Sequence, residues 1–162
     1  MSLDVRIFNL CDHYTGGKQY AMERCPKCRG NGYYYDIFYD ASGAAILVTG
    51  TIKLQQEMLK IINDIKGNNI FFPMWGSELH GWIGQKGSKL TQNKLQLMIR
   101  LSLDYLRALQ YEQQEAYQNM TNDEILLGVE SMNIIDYMVG YDVSVTIKNM
   151  SDEIIGDTIY LT

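Results

Sequence analysis

The sequence predicts an α+β protein in which two main helices pack with a small C-terminal antiparallel sheet, preceded by a zinc-ribbon-like β-hairpin extension. Three observations predict this class. Residues 51–117 contain two stretches in which apolar residues recur with the 3.6-residue period of a helix. From Val143 onwards the apolar period falls to two, as in a strand with one buried face. All three cysteines lie within residues 11–28, so we divide the chain into an extension, residues 1–48, and an α+β domain, residues 49–162.

The composition is that of a globular chain of moderate size. Of its 162 residues, 46% are hydrophobic and 20% are charged, which is close to the average for folded domains. Its apolar runs fall well short of the roughly 20 residues of a membrane span, and the first residues lack the apolar core of a signal peptide. We therefore expect a soluble, intracellular protein. The formal net charge of -5 provides no long-range attraction to nucleic acid or to an anionic membrane.

The N-terminal extension contains a pattern typical of a structural zinc site. Cys25 and Cys28 are two residues apart and are followed by glycines, as in a zinc knuckle. Cys11 and His13 supply a third thiolate and an imidazole. These four side chains predict a closed Cys3His site for Zn²⁺, which leaves no position for a reactive water. Two alternatives remain open: three reduced cysteines without metal, or a fourth ligand other than His13, namely Asp12, Glu23 or His80.

The extension opens with a short strand at Val5–Leu10, and two further runs predict a hairpin. Aromatic and β-branched residues at 33–39 and 44–49 flank the turn sequence Asp-Ala-Ser-Gly at 40–43. The tyrosines of the first run have the residue type of a base-stacking platform. However, Asp36 and Asp40 lie in the same stretch and would repel phosphate, so we do not expect nucleic-acid binding.

Two amphipathic helices follow. The first begins after an N-cap at Thr51, carries its apolar stripe from Leu54 to Ile65, and is predicted to end at Gly67. The second begins near Leu90 or Thr91 and extends at least to Leu109, or on to Tyr117. After it, residues 121–124 have the spacing of a capping box, although residues 125–129 equally suit the beginning of a strand.

Between the two helices lies the apolar connection, residues 70–84, where bulky apolar side chains surround one proline and several glycines. This composition predicts a connection that is buried in the core, held by five residues: Phe72, Pro73, Trp75, Gly76 and Leu79. Ser77, Glu78 and His80 are close in sequence, but the Gly-x-Ser-x-Gly elbow of serine hydrolases is missing. We therefore predict no catalytic residue in this connection.

The C-terminal strands end close to the end of the sequence. Apolar residues alternate with polar ones from residue 143 to residue 148, and a last strand is predicted to reach residue 162. A sheet that ends in this way presents an open edge, which either stays solvated or accepts a strand from another chain. The residues that would form these partner-binding strands are Val143, Val145, Ile147, Ile159 and Leu161.

Residues 49–162 resemble the small baseplate wedge proteins of contractile-tailed bacteriophages, some of which are labelled tail lysozymes. The resemblance rests on the helix Lys53–Ile62, on Gly67, and on the run Phe-Pro-Met-Trp-Gly-Ser-Glu-Leu at Phe72–Leu79. The long helix and the terminal strands complete it. Family members often carry Glu-Pro-Arg after the long helix, where this chain has Asn-Asp-Glu at residues 122–124. Residues 1–48 lie outside the common core.

The resemblance implies a structural protein of the virion, made in the host cytoplasm and present in several copies in the inner baseplate. Its partners would be the helical bundle of the other wedge proteins and the first ring of the tail sheath, which would attach at the sheet edge. Two alternative functions are a peptidoglycan hydrolase and a zinc-dependent nucleic-acid binder. The first requires a matched pair of carboxylates, which no spacing in this chain singles out. The net charge opposes the second.

Overall fold

The computed structural model divides the chain into two compact units, Leu3–Val48 and a larger unit that contains Thr49–Thr162. None of the helices in the described residues is long and apolar enough to cross a membrane. The structure describes the following residues: 4–5, 8–10, 33–35, 41–45, 47–82, 88–117, 120–137 and 140–161.

The described residues of the N-terminal unit form four short strands. Strand β1 (Asp4–Val5) pairs antiparallel with β4 (Leu47–Val48), and β2 (Phe8–Leu10) pairs antiparallel with β3 (Tyr33–Tyr35). The predicted hairpin would pair β3 with β4, whereas the described residues pair each of them with an N-terminal strand. The four predicted zinc ligands all lie outside the described residues, and the zinc site stays a prediction: Cys11, His13, Cys25 and Cys28.

Helix α1 spans Gly50–Asn63 and has Thr49 as its N-cap. The predicted apolar stripe is confirmed from Leu54 to Ile62, where its side chains are fully buried, but not at Ile65, which lies beyond the helix and is 47% exposed. The predicted end at Gly67 is wrong. The helix stops at Asn63 because Asp64 is already extended and Ile65 forms a parallel bridge with Ser77.

Helix α2 spans Lys89–Tyr117 and, at 29 residues, confirms the longer of the two predicted lengths. One face of the helix is buried throughout its first five turns, through Leu95, Ile99, Leu103 and Leu106. A 3₁₀ turn at Asn122–Glu124 follows. It contains the predicted capping box, in which the main-chain N–H of Thr121 donates to Glu124 Oε2 at 3.4 Å.

A three-stranded antiparallel sheet completes the larger unit. Its strands are β5 (Leu126–Tyr137), β6 (Gly140–Asn149) and β7 (Ile154–Leu161), in the order β5-β6-β7. Val143 on β6 lies opposite Ile134 on β5 and Ile159 on β7, and all three side chains are buried. Two helices and a small antiparallel sheet therefore form an α+β core, as predicted.

Candidate functional site

The outer strand β7 is the first candidate interaction site. In the described part of the chain, β7 pairs with β6 on one side and with no strand on the other. In an outer strand, every second residue directs its main-chain N–H and C=O away from the sheet, where they can bond to a further strand. The eight residues Ile154–Leu161 provide such an edge.

The structure corrects the predicted partner-binding residues. Val143, Val145 and Ile147 lie on the central strand β6, and their side chains are fully buried. Ile159 lies on the outer strand, but its side chain also packs in the core. Alternation of apolar and polar residues reports one buried face and does not distinguish a central strand from an outer one. Leu161 pairs with Tyr141 near the end of β7, so its main chain belongs to the outer strand.

Asp157 places a carboxylate at the outer strand. Its Oδ1 accepts a hydrogen bond from the main-chain N–H of Thr158 at 2.7 Å, and its Oδ2 accepts one from Gln55 Nε2 of α1 at 3.0 Å. Burial raises the pKa of this carboxyl above its usual range, against the two hydrogen bonds, which lower it. A charge that points inward on an outer strand is one of the devices that limit indiscriminate strand addition.

The apolar connection is the second candidate site, and most of it is not buried. Gly76 and Leu79 are buried as predicted. Phe72 is 44% exposed and Phe71 is 81% exposed, while Pro73 is exposed and Trp75 half-buried. The prediction of a buried connection is therefore wrong for its aromatic part. Apolar composition does not by itself determine burial, because the chain here leaves the core at Ile65 and returns at Ser77.

Two residues of this connection, Ser77 and His80, cap the C-terminus of α1. Ser77 Oγ donates to the main-chain oxygen of Ile62 at 2.6 Å, and His80 Nε2 lies 2.7 Å from the main-chain oxygen of Asn63. The main-chain N–H of Ser77 donates to the oxygen of Asp64 at 2.8 Å. The last carbonyl groups of a helix have no partners within it, so Ser77 and His80 supply partners from outside the helix.

These contacts give Ser77 and His80 a structural role, so their positions need no catalytic explanation. The Ser77 hydroxyl is directed at a main-chain oxygen of α1, and the His80 ring bonds to another. Glu78 pairs with Lys66 at 3.4 Å and is largely exposed. The three side chains therefore face separate partners, and the structure does not bring them together as a hydrogen-bonded triad.

A buried polar network joins α1, α2 and the turn that precedes β5. Glu124 is fully buried, and its Oε1 accepts the main-chain N–H of Gly50 at 3.2 Å. Its Oε2 lies 3.8 Å from Lys53 Nζ, which is also 3.3 Å from Glu57 Oε1. This network was not predicted from the sequence, although Lys53 and Glu57 are four residues apart on the first helix and have the spacing of an ion pair.

Gln110 on α2 completes the network. Its Nε2 donates to Glu57 Oε2 at 2.7 Å and to the main-chain oxygen of Glu124 at 3.1 Å. Its Oε1 accepts the main-chain N–H of Leu126 at 2.8 Å. Throughout the described residues, every buried side-chain nitrogen and oxygen has a hydrogen-bond partner. Such a saturated network fixes the packing of the helices against the sheet.

Within the described ranges, no group of three or more His, Cys, Asp or Glu side chains is placed to hold a metal ion. Comparison of the chain with protein-family models and with curated proteins gives no match.

Proposed function

We propose that this chain is a non-enzymatic structural component of the inner baseplate of a contractile phage tail. The observation that carries the proposal is the outer side of β7, which no strand among the described residues covers; β7 is an eight-residue strand at the edge of a three-stranded sheet. The resemblance of residues 49–162 to the small baseplate wedge proteins supports the same function. In this proposal the chain is present in several copies, and β7 receives a strand from the first ring of sheath subunits.

Strand addition suits this role physically. Main-chain hydrogen bonds to β7 provide the affinity, and side chains on alternate residues provide the specificity. The Asp157 carboxylate already occupies the N–H of Thr158, so an added strand must match or displace that contact. An edge with such a restraint favours a specific partner over a second copy of the same edge.

The turn at Asn122–Glu124 has a different role in this proposal from the Glu-Pro-Arg joint of the family it resembles. Glu124 points inward to Gly50 and Lys53 and is fully buried. Its carboxylate is therefore engaged within the chain. In this protein the contact with the other wedge proteins must use another surface.

The N-terminal extension contributes, in the same proposal, a structural zinc site formed by Cys11, His13, Cys25 and Cys28. Four protein ligands would stabilise a segment with few apolar residues and would leave the metal no open position. The proposal therefore gives zinc a folding role and not a catalytic one.

The first test is whether the protein is part of the tail. Mass spectrometry of purified tails and baseplates should detect it at a stoichiometry comparable to that of the other wedge proteins. Tail-sheath, spike and wedge genes next to its own would support the same conclusion. Absence of the protein from purified tails would contradict the proposal whatever its edge strand does.

The second test distinguishes the contribution of the β7 main chain to sheath attachment from that of its side chains. Thr158→Pro removes the N–H that now bonds to Asp157, and proline is tolerated on outer strands. Both substitutions also remove the Thr158 hydroxyl, which lies 3.1 Å from Ser144 Oγ. Thr158→Val keeps the main-chain N–H and is therefore the matched control. Circular dichroism and melting curves establish that both variants are folded.

The proposal predicts different outcomes for the two variants. Baseplates that contain Thr158→Val should still nucleate sheath, whereas those with Thr158→Pro should nucleate little, when contracted and extended tails are counted by electron microscopy. Normal sheath assembly on folded Thr158→Pro baseplates would contradict the role of the β7 edge.

A further inference from the structure

Helix α2 carries a second apolar stripe on the face opposite to its core face. Leu90, Leu97 and Leu101 are 65%, 57% and 60% exposed. Their spacings of seven and four residues place them on one side of the helix. We call these three residues the outer stripe. The core face of the same helix is already buried through Leu95 and Ile99, so α2 is apolar on two opposite faces. A helix of that kind normally packs on both sides.

A cleft adjoins the outer stripe at Leu101. It has a volume of about 250 Å³ and lies between α2 and the chain that leads to Gly76. Met74 and Met98 contribute flexible apolar walls, and Tyr105 lies one turn beyond Leu101. A cleft of this size accepts one large apolar side chain, and such pockets are where the central residues of an interface are found.

Most of the charges beside the outer stripe are positive. One acidic side chain, Glu78, lines the cleft, and it pairs with Lys66 at 3.4 Å. Residues 89–103 contain Lys89, Lys94 and Arg100 and no acidic residue, in a chain with a net charge of -5. Lys94 Nζ lies 4.7 Å from the centre of the Trp82 ring, which holds one of these cations beside the helix. The next acidic side chain, Asp104, already pairs with Arg107 at 3.2 Å.

We propose that the outer stripe and the adjoining cleft bind an amphipathic helix of another protein, with acidic residues on both sides of its apolar face. Residues 89–105 form a ridge of roughly 25 Å at 1.5 Å per residue, which matches a helix of about five turns. Apolar residues of the partner would pack between the leucines in the manner of a two-helix seam. Its acidic residues would lie against Lys89, Lys94 and Arg100.

The same charges argue against a second copy of this chain as the occupant, because two copies would bring two basic, acid-free stretches together. The inference is independent of the proposed function. It concerns α2 and not β7, so each can fail without the other.

The test uses the whole chain and a displayed library of helical peptides of about 17 residues, the length that spans the ridge. All peptides share one apolar face, and the flanking positions vary among glutamate, lysine and glutamine. Selection on the wild-type protein should enrich glutamate at the flanks. A selected peptide should bind at least ten-fold more tightly than its lysine-flanked counterpart, as measured by fluorescence anisotropy.

Two double variants localise the binding. Leu97→Gln with Leu101→Gln changes only exposed side chains and should weaken binding of the selected peptide at least ten-fold without lowering the melting temperature. Lys94→Glu with Arg100→Glu should reverse the preference toward lysine-flanked peptides. A matched control, Ile135→Gln with Tyr137→Gln, changes exposed apolar residues on β5 and should leave binding unchanged.

Several results would overturn the inference. They are a selection that enriches no acidic peptide, binding that survives in the leucine double variant, and an unchanged charge preference in the Lys94 and Arg100 variant. A dimer in sedimentation that the leucine double variant dissociates would assign the stripe to a second copy. Binding to phosphatidylserine vesicles that the same variant abolishes, with no peptide selected, would assign it to a membrane surface.

Discussion

Gly50 donates its main-chain N–H to Glu124 Oε1 at 3.2 Å, although 74 residues separate the two in sequence. Gly50 is the first residue of α1, and the N-cap residue Thr49 makes no side-chain capping bond. The carboxylate of Glu124 therefore acts as the cap of α1 from the turn after α2. A carboxylate at this end of a helix satisfies a free N–H and also interacts favourably with the helix dipole.

Replacing Glu124 should therefore destabilise the whole larger unit. Glu124→Ala removes one of the carboxylates beside the buried Lys53 ammonium and also removes the cap of α1, so we expect a loss of about 3 kcal/mol in the free energy of unfolding. Glu124→Gln keeps an oxygen for Gly50 and should cost less. Urea denaturation monitored by circular dichroism measures both.

A surface ion pair provides the matched control. Lys148 and Asp152 are 2.7 Å apart, and their side chains are 34% and 77% exposed. Asp152→Asn removes this charge and should change stability by no more than about 0.5 kcal/mol. Asparagine is chosen because Asp152 has a positive φ of 66°, which asparagine tolerates. Equal losses at Glu124 and Asp152 would contradict the role assigned to burial.

The two helices and strand β6 could be predicted from the sequence, but the full length of strand β5 could not. The periods of α1, α2 and β6 are clear because each has one continuous buried face. Strand β5 is different: its register shifts between Leu126 and Gly128 and again between Val129 and Ser131. Each shift moves the following side chains to the other face of the sheet. No alternating pattern over residues 126–137 was therefore available to predict the full strand.

Gly76 should be far less replaceable than Gly67, although both have a positive φ, 103° and 90°. A Cβ on Gly76 would lie 2.7 Å from the main-chain nitrogen of Lys66 and 2.8 Å from the oxygen of Asp64, and these atoms belong to the bridge that caps α1. A Cβ on Gly67 would meet nothing within 4 Å.

We expect Gly67→Ala to lower the free energy of unfolding by about 1 kcal/mol, which is the cost of holding an alanine at a positive φ. Gly76→Ala should cost about 1–3 kcal/mol more, because main-chain atoms must move. Thermal and urea unfolding of the two variants give the difference directly. Equal effects would indicate that the close approach at Gly76 contributes nothing beyond its φ.

The composition of the connection predicted a core role for all its bulky residues, and a pair of truncations distinguishes the buried from the exposed part. Leu79 is 1% exposed, and Leu79→Ala should cost about 2–5 kcal/mol. Phe71 is 81% exposed, and Phe71→Ala should stay within about 0.5 kcal/mol. A large loss at Phe71 in urea unfolding would show that its ring packs within the folded chain. The sequence could not separate the two residues, since both are large and apolar.

The zinc prediction is tested by metal analysis of the purified full chain. We expect about one equivalent of zinc, as in a closed site with four ligands. Cys28→Ser and Cys11→Ser should each lower the zinc content. His80→Asn should leave it unchanged, because His80 Nε2 already bonds to the main-chain oxygen of Asn63 at 2.7 Å. Wild-type protein without zinc would contradict the site altogether.

Asp157 should make the stability of the protein depend on pH. Burial beside α1 raises the pKa of its carboxyl above its usual range, so the folded state binds this proton more tightly than the unfolded state. The resulting stability is present below the unfolded pKa of about 3.9 and is lost as the pH rises through the folded pKa. At neutral pH the charged carboxylate therefore destabilises the folded chain.

Asp157→Asn removes this charge and keeps one oxygen, so the hydrogen bond from Gln55 can be retained while the one from the main-chain N–H of Thr158 is lost. The variant should be more stable than the wild type at pH 7, and the difference should shrink as the pH falls toward about 3, where the aspartate is protonated in both states. Urea unfolding at a series of pH values measures the difference. Asp104→Asn, at an exposed side chain, controls for the loss of one negative charge. A difference that grew toward low pH would mean that the Asp157 carboxylate stabilises the outer strand instead.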